Sequence, residues 1–308
     1  MVNNIKNMLP TWYKKYKRFI EENIEIYLDK YFEKNKNNSE ALQKFEEIIR
    51  YSVKWGKKIR AIFALEFYLI LSYKKIEDLD ENSDILKICL SLEFVHAYSL
   101  LQDDMPCMDN DVLRRWQPTV WSKYWEYNAM LASDVLNTLS YEILSEIKDK
   151  NIAIEMTKIL SKATGFYGMI WGQIEDLYFE ENPSKLNQEK LLQLHRKKTG
   201  KLIKASVKMW IIMSGNTKYL KPFAVFWEKL GLAFQIKDDI LDVEWTKEET
   251  GKSVWEWNNE KKWFIFFEWL QKSKQKLKDL VKSCLEISKT LKSEKLEFIT
   301  EYVGNRKK

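Results

Sequence analysis

Seven aspartates fall in two tight groups. The stretch "LQDDMPCMDNDVLRRW" carries Asp103, Asp104, Asp109 and Asp111, and "FQIKDDILD" carries Asp238, Asp239 and Asp242. On a helix, Asp238 and Asp242 stand four residues apart and share a face. Asp103 and Asp104 follow directly on "LKICLSLEFVHAYSL", an almost wholly apolar run that reads as a buried helix. They therefore occupy its C-terminal end, where the helix dipole disfavours carboxylates. Like charges this close also raise each other's pKa values and cost stability. A bound cation reverses both penalties. All-oxygen ligands with no Cys or His pair beside them suit magnesium, which takes a few carboxylates, water and substrate phosphate. An EF-hand does not fit, because "DMPCMDNDVLRR" lacks the glycine at its sixth position and the glutamate at its twelfth.

Cations accompany the acids. Lys57 and Arg60 lie in "GKKIR", Arg114 and Arg115 follow the first acidic group, Lys198 and Thr199 lie in "KKTGK", and Lys252 in "GKS". Arginine forks grip phosphate bidentately and lysine acts as a point charge. Two carboxylate clusters with several such cations describe a site for diphosphates bridged by metal.

The elements that must carry these residues are helices. Apolar residues recur at helical spacing in nearly every segment, as with Phe19, Ile20, Ile24, Tyr27, Leu28 and Tyr31, and no segment sustains a two-residue alternation. Pro106, Pro118, Pro183 and Pro222 fall at expected helix ends. With no long linker or repeat, the expectation is a single all-α domain over residues 1–308, of helices buried on most faces.

Composition narrows the partners. The 308 residues are 45% hydrophobic with a net charge of +6, and Lys and Glu interleave along most of the chain. That is the pattern of solvated helix faces and argues against nucleic-acid binding. Cys89, Cys107 and Cys284 are too scattered for a disulfide framework or a zinc site. No signal-peptide core is present, and the apolar run "AIFALEFYLILSY" is interrupted by Glu66 and too short to span a bilayer. A soluble cytoplasmic protein is expected.

In this order the motifs resemble those of the trans-isoprenyl diphosphate synthases, the short-chain prenyltransferases. "WGKKIR" is similar to GGKRxR, "DDMPCMDNDVLRRWQPTV" to the first aspartate-rich motif with its RRGxPT tail, "GQIEDL" to GQxxDL, "KKTGKL" to the KTG segment, and "GLAFQIKDDILD" to the second aspartate-rich motif. The resemblance implies helices around a deep central cavity, usually in a homodimer, with the two aspartate-rich motifs facing each other across its mouth. It implies that Asp103 and Asp109, with Asp104 nearby, hold two magnesium ions. Asp238, supported by Asp242 and beside Asp239, would hold a third, and Asp176 would act indirectly. Arg114, Lys198, Thr199, Gln235, Lys252 and Lys261 would contact an allylic diphosphate; Gly56, Lys57, Arg60, His96 and Arg115 would bind isopentenyl diphosphate. Tyr98, five residues before the first aspartate, and Ser99 would set product length, with Pro106 and Cys107 as an insertion typical of bacterial farnesyl diphosphate synthases. Farnesyl diphosphate is the expected product and geranylgeranyl diphosphate the alternative. A catalytically silent partner subunit and a terpene cyclase are the competing readings; a cyclase would need neither "GKKIR" nor two DD motifs.

The chain departs from the family pattern at glycine. It has 13 Trp and only 9 Gly, about 3% against a usual 7%. Trp55, Trp116, Trp125 and Trp171 stand where the pattern takes glycine, and Trp210, Trp227, Trp245 and Trp269 at further glycine-like positions. An aromatic core or a membrane belt would not single out motif glycines. The expectation is that UGA codons read as glycine in the source organism are rendered here as tryptophan; TGG codons at 55, 116 and 171 would sink it.

Overall fold

A computed structural model describes residues 10–33, 39–244, 260–290 and 293–305. The helical period is realised as α1 (Thr11–Glu33), α2 (Glu40–Lys54), α3 (Ile59–Ser72), α4 (Asp84–Asp103), α5 (Val120–Tyr124), α6 (Glu126–Ser145), α7 (Lys150–Thr164), α8 (Met169–Glu181), α9 (Gln188–His195), α10 (Lys201–Met213), α11 (Leu220–Glu244), α12 (Glu260–Thr290) and α13 (Glu294–Asn305). Among the described residues, the strands are β1 (Leu113–Arg114) and β2 (Gln117–Pro118), an antiparallel hairpin of two residues each. The fold is all-α. No described helix is long and apolar enough to cross a membrane.

The chain forms two compact units, one from residues 1–157 with 209–216 and the other from 158–208 with 217–308. In the first, α4 is the central helix. It packs on α6 and α3, with α1 and α2 also against it. Its apolar residues point all round, so Ile88, Cys89, Leu92, Phe94 and Val95 are fully buried. Such a helix forms for want of any polar face to give to water. Ile20, Ile24 and Leu28 of α1 and Ile49 and Val53 of α2 complete this core, while Trp210 stacks on Phe67 at 4.5 Å. Glu66, which interrupts the apolar run of α3, is buried and accepts a hydrogen bond from the Tyr16 hydroxyl. In the second unit α11 packs against α12 and α13, and Cys284 is buried there with Phe226 and Leu230.

Candidate diphosphate site

The first unit brings four stretches of sequence to one cleft. Helix α2 ends at Trp55, and the chain turns through Gly56, at φ 125°, and Lys58, at φ 52°, before α3 begins. The Tyr13 hydroxyl of α1 donates to the Lys57 carbonyl at 2.6 Å, pinning this turn from outside. Gly56 lies flat against the Arg115 guanidinium, so that any side chain there would run into it. Its positive φ also favours glycine.

Helix α4 delivers Glu93, His96 and Ala97 to the cleft and ends in Asp103 and Asp104. The chain then doubles back. The Asp109 amide donates to the Asp103 carbonyl at 2.9 Å, and the Asn110 and Met108 amides donate to Met105 at 3.0 and 2.9 Å. This loop is why the DDxxxxD spacing works: its closure ties the first and last aspartates together. Asp104 takes another course, because its buried carboxylate is ion-paired with Arg114. Asp111, also buried, stands 3.5 Å from the same guanidinium. Burial alone would lower the Arg114 pKa, but the Asp104 charge and hydrogen bond, with Asp111 and Asp103, outweigh it and raise it.

Arg114 is the last residue of β1, and the register of the hairpin leaves Arg115 and Trp116 as its two-residue turn. Both have positive φ, 55° and 64°. That is the type I′ geometry, whose second position is most often glycine. Trp125, between α5 and α6, has φ 75° and ψ 154°, a region that is essentially glycine's alone. Trp125 is 73% exposed and Trp116 53%, so burial compensates neither. The other tryptophans at glycine-like positions behave differently. Trp55 has an ordinary extended backbone, Trp210 and Trp227 are buried, and the Lys197 ammonium lies 3.8 Å over the Trp171 ring. Trp245 lies outside the described residues, as does the Trp269 side chain.

The cleft has a cavity volume of about 60 Å³. Lys58, Arg114 and Arg115 line it, against the carboxylates of Glu93 and Asp104. His96 lies between them. Its pKa is driven well below the ordinary value by burial and then by Arg60, Arg115, Lys58 and Arg114, so the imidazole is held neutral. Burial and Arg114 likewise lower the Arg115 pKa, with Glu93 and Asp104 opposing.

Tyr98 is buried on α4, its phenol pKa raised by burial and then by Tyr141, Asp103 and Asp134. Ser99 turns back to donate to the His96 carbonyl at 3.0 Å.

The second unit holds the other expected residues on α8, α11 and a single π-helical turn, Arg196–Gly200. Gly172 of "GQIEDL" touches the Lys198 backbone so closely that no Cβ would fit. The two motifs therefore meet through one glycine. Beside that contact the Lys198 ammonium binds Asp176 at 2.7 Å and Lys197 binds Glu175 at 3.2 Å. Thr199 lies on the same turn; Gln235, Asp238, Asp239 and Asp242 lie on α11, and Lys261 is the second residue of α12. The side chains of these six, and all of Lys252, lie outside the described residues.

Among the described residues, no three His, Cys, Asp or Glu side chains are gathered to hold a metal by themselves. Asp103 and Asp109, tied at their backbones, are nevertheless the right donors for a magnesium ion that takes its remaining oxygens from water and phosphate. They fit it. Asp104, committed to Arg114, fits a supporting place better than direct ligation.

Sequence reading picked out Lys57 and missed Lys58, Glu93 and the Lys197–Glu175 pair. The available signal for Glu93 was its position as the one acid inside the apolar run, three residues before His96 and hence on its face of α4.

Known proteins resemble this chain in sequence and fold. The polyprenyl synthetase family model matches residues 42–303. Farnesyl diphosphate synthase of Micrococcus luteus is 35% identical over 275 residues, covering 87% of this chain and 91% of that protein. The Haemophilus influenzae farnesyl diphosphate synthase is 32% identical over 298 residues, covering 94% and 96%. Among solved structures, a Helicobacter pylori geranyltransferase complexed with magnesium and isoprenyl diphosphate superposes with a TM-score of 0.76 at 33% identity, covering 96% of each chain. With motifs, fold and relatives in agreement, the chain belongs to the polyprenyl synthetase family.

Proposed function

We propose that the chain is a magnesium-dependent prenyltransferase that joins isopentenyl diphosphate to allylic diphosphates and releases farnesyl diphosphate, working as a homodimer. The observation that carries this reading is the cleft lined by Lys58, His96, Arg114 and Arg115, with the Gly56 turn packed directly against the Arg115 guanidinium. Gly56, Lys57, Arg60, His96 and Arg115 hold isopentenyl diphosphate there. The neutral imidazole donates one hydrogen bond without adding charge.

Arg114, Lys198, Thr199, Gln235, Lys252 and Lys261 hold the allylic diphosphate. Asp103 and Asp109 ligate magnesium with Asp104 in support, and Asp238 and Asp242, beside Asp239, ligate another ion, for about three in all. Magnesium held by these aspartates would supply charge neutralisation for the departing diphosphate, the kind of electrostatic term that usually dominates catalysis. Lys198 and Arg114 stabilise the same charge from the protein side. Breaking the allylic carbon–oxygen bond leaves a carbocation, the isopentenyl double bond attacks it, and the released diphosphate accepts the proton lost from the adduct. No protein nucleophile is required. Tyr98 and Ser99 form the floor that stops growth at fifteen carbons.

The test is incubation with magnesium, isopentenyl diphosphate and each allylic primer, followed by chromatography of the dephosphorylated products. A C15 alcohol is expected, lost on adding EDTA and in Asp103→Ala. Activity that survives both treatments overturns the mechanism, and a C20 product overturns the role given to Tyr98.

A further inference from the structure

The wall of the cleft contains a buried ion pair that the proposed reaction does not use. Lys58 and Glu93 have side chains only 2% and 5% exposed, with ammonium and carboxylate 3.7 Å apart. The Lys58 ammonium also donates to the Val53 carbonyl and, at 3.5 Å, to the Trp55 carbonyl, the last acceptors of α2. It thus ties the end of α2 and the Gly56 turn to α4. The second carboxylate oxygen of Glu93 is buried and accepts no hydrogen bond among the described residues.

A carboxylate in the wall of an anion site opposes the ligand, and half of this one is desolvated without compensation, a costly arrangement. What it offsets is the burial of Lys58. Four charged groups act on that ammonium besides the burial itself: Glu93 from α4, Glu21 and Lys17 from α1, and Arg115 from the hairpin turn. Burial lowers the Lys58 pKa, Glu93 is the strongest influence holding it up, and Arg115 and Lys17 lower it further. Without Glu93, the cheapest way to keep Lys58 buried among arginines is to discharge it.

We propose that Glu93 is a positioning residue of the isopentenyl diphosphate cleft, keeping Lys58 charged and anchored so that the cleft meets its ligand with every cation in place. Glu93 does not touch the ligand; it acts through Lys58. The inference rests on the assignment of this cleft to isopentenyl diphosphate.

The sign of the effect follows. Binding an anion requires Lys58 protonated, and removing Glu93 lowers the pH at which that proton is lost. In Glu93→Gln, affinity for isopentenyl diphosphate therefore falls as pH rises. At low pH, where Lys58 stays charged, the variant lacks a repelling carboxylate and binds at least as tightly as the unaltered chain. The two affinity curves cross, which structural damage does not produce.

The experiment is calorimetric titration of isopentenyl diphosphate into the unaltered chain, Glu93→Gln and Lys58→Arg at about pH 6.5 and about pH 9. For Glu93→Gln the expected result is equal or tighter binding at the lower pH and about tenfold weaker binding at the higher, the worth of one charge-assisted contact. Lys58→Arg, whose charge does not titrate, gives the same affinity at both. A Glu93→Gln curve parallel to that of the unaltered chain, or Lys58→Arg losing affinity at high pH, overturns the proposal. If Glu93→Gln does not fold, the Lys58→Arg comparison decides alone. Binding without prenyl transfer would defeat the proposed activity and leave this inference standing, whereas no binding by the unaltered chain would defeat both.

Discussion

The cleft of the first unit and the lysine turn of the second, the two regions proposed to hold diphosphates, arrange their charges differently. In the cleft, burial first and neighbouring cations second lower the pKa values of His96 and Arg115. At the turn each lysine already has an acid, Lys198 with Asp176 and Lys197 with Glu175. The backbones differ as well. The described residues with positive φ, among them Gly56, Lys58, Arg115, Trp116 and Trp125, all belong to the first unit. The second unit relies on helices and one π-helical turn. The cleft pairs Lys58 with Glu93 and Arg114 with Asp104, and adds Arg115, so on the proposed reading it would receive an anion directly. A balanced set must first be unbalanced, and a divalent ion competing for Asp176 would do that, freeing Lys198 for phosphate.

The largest test of this contrast is Arg114→Met. It leaves Asp104 buried without its partner, and loss of one member of such a pair costs about 3–5 kcal/mol. Chemical denaturation should show that loss, and a change under about 1 kcal/mol would mean that the pair is as weak as a solvated one. Next in size is the metal dependence of the two substrates. With EDTA present, calorimetry should find isopentenyl diphosphate bound within about threefold of its affinity in magnesium, and an allylic diphosphate weakened by about 100-fold, or roughly 2.7 kcal/mol. Equal losses would erase the distinction between the two regions. The smallest effect concerns strain. Trp125→Gly should stabilise the chain by about 1–3 kcal/mol, the cost of an L-residue held in that backbone region. A denaturation midpoint moving the other way would show that the indole contributes more than its exposure suggests.

Much of this was legible from the chain alone, for physical reasons that differ by residue. The helical class follows from apolar spacing, and the burial of α4 from a run with no polar face. The acidic cluster at the end of α4 was legible, whereas the backbone closure between Asp103 and Asp109 came from the structure. Lys57 and Lys58, by contrast, are indistinguishable as letters. The left-handed turn at Lys58 sends its side chain inward, and no residue type announces that turn where glycine is absent. Glu93 stayed hidden because its partner lies 35 residues away in sequence, bridged only by the packing of α3 and α4. The tryptophans divide the same way: Trp116 and Trp125 occupy backbone that glycine adopts freely, while Trp210 has a stacked neighbour. Spacing alone cannot separate those cases.

Where Gly172 meets Lys198, two main chains touch with no atom to spare. One methyl group added there would lever the lysine turn away from α8, dragging Lys198 off Asp176 while leaving the other unit untouched. On the proposed assignment, a single hydrogen atom in place of a carbon would keep one substrate's grip in register, and its replacement would silence that grip while sparing the other.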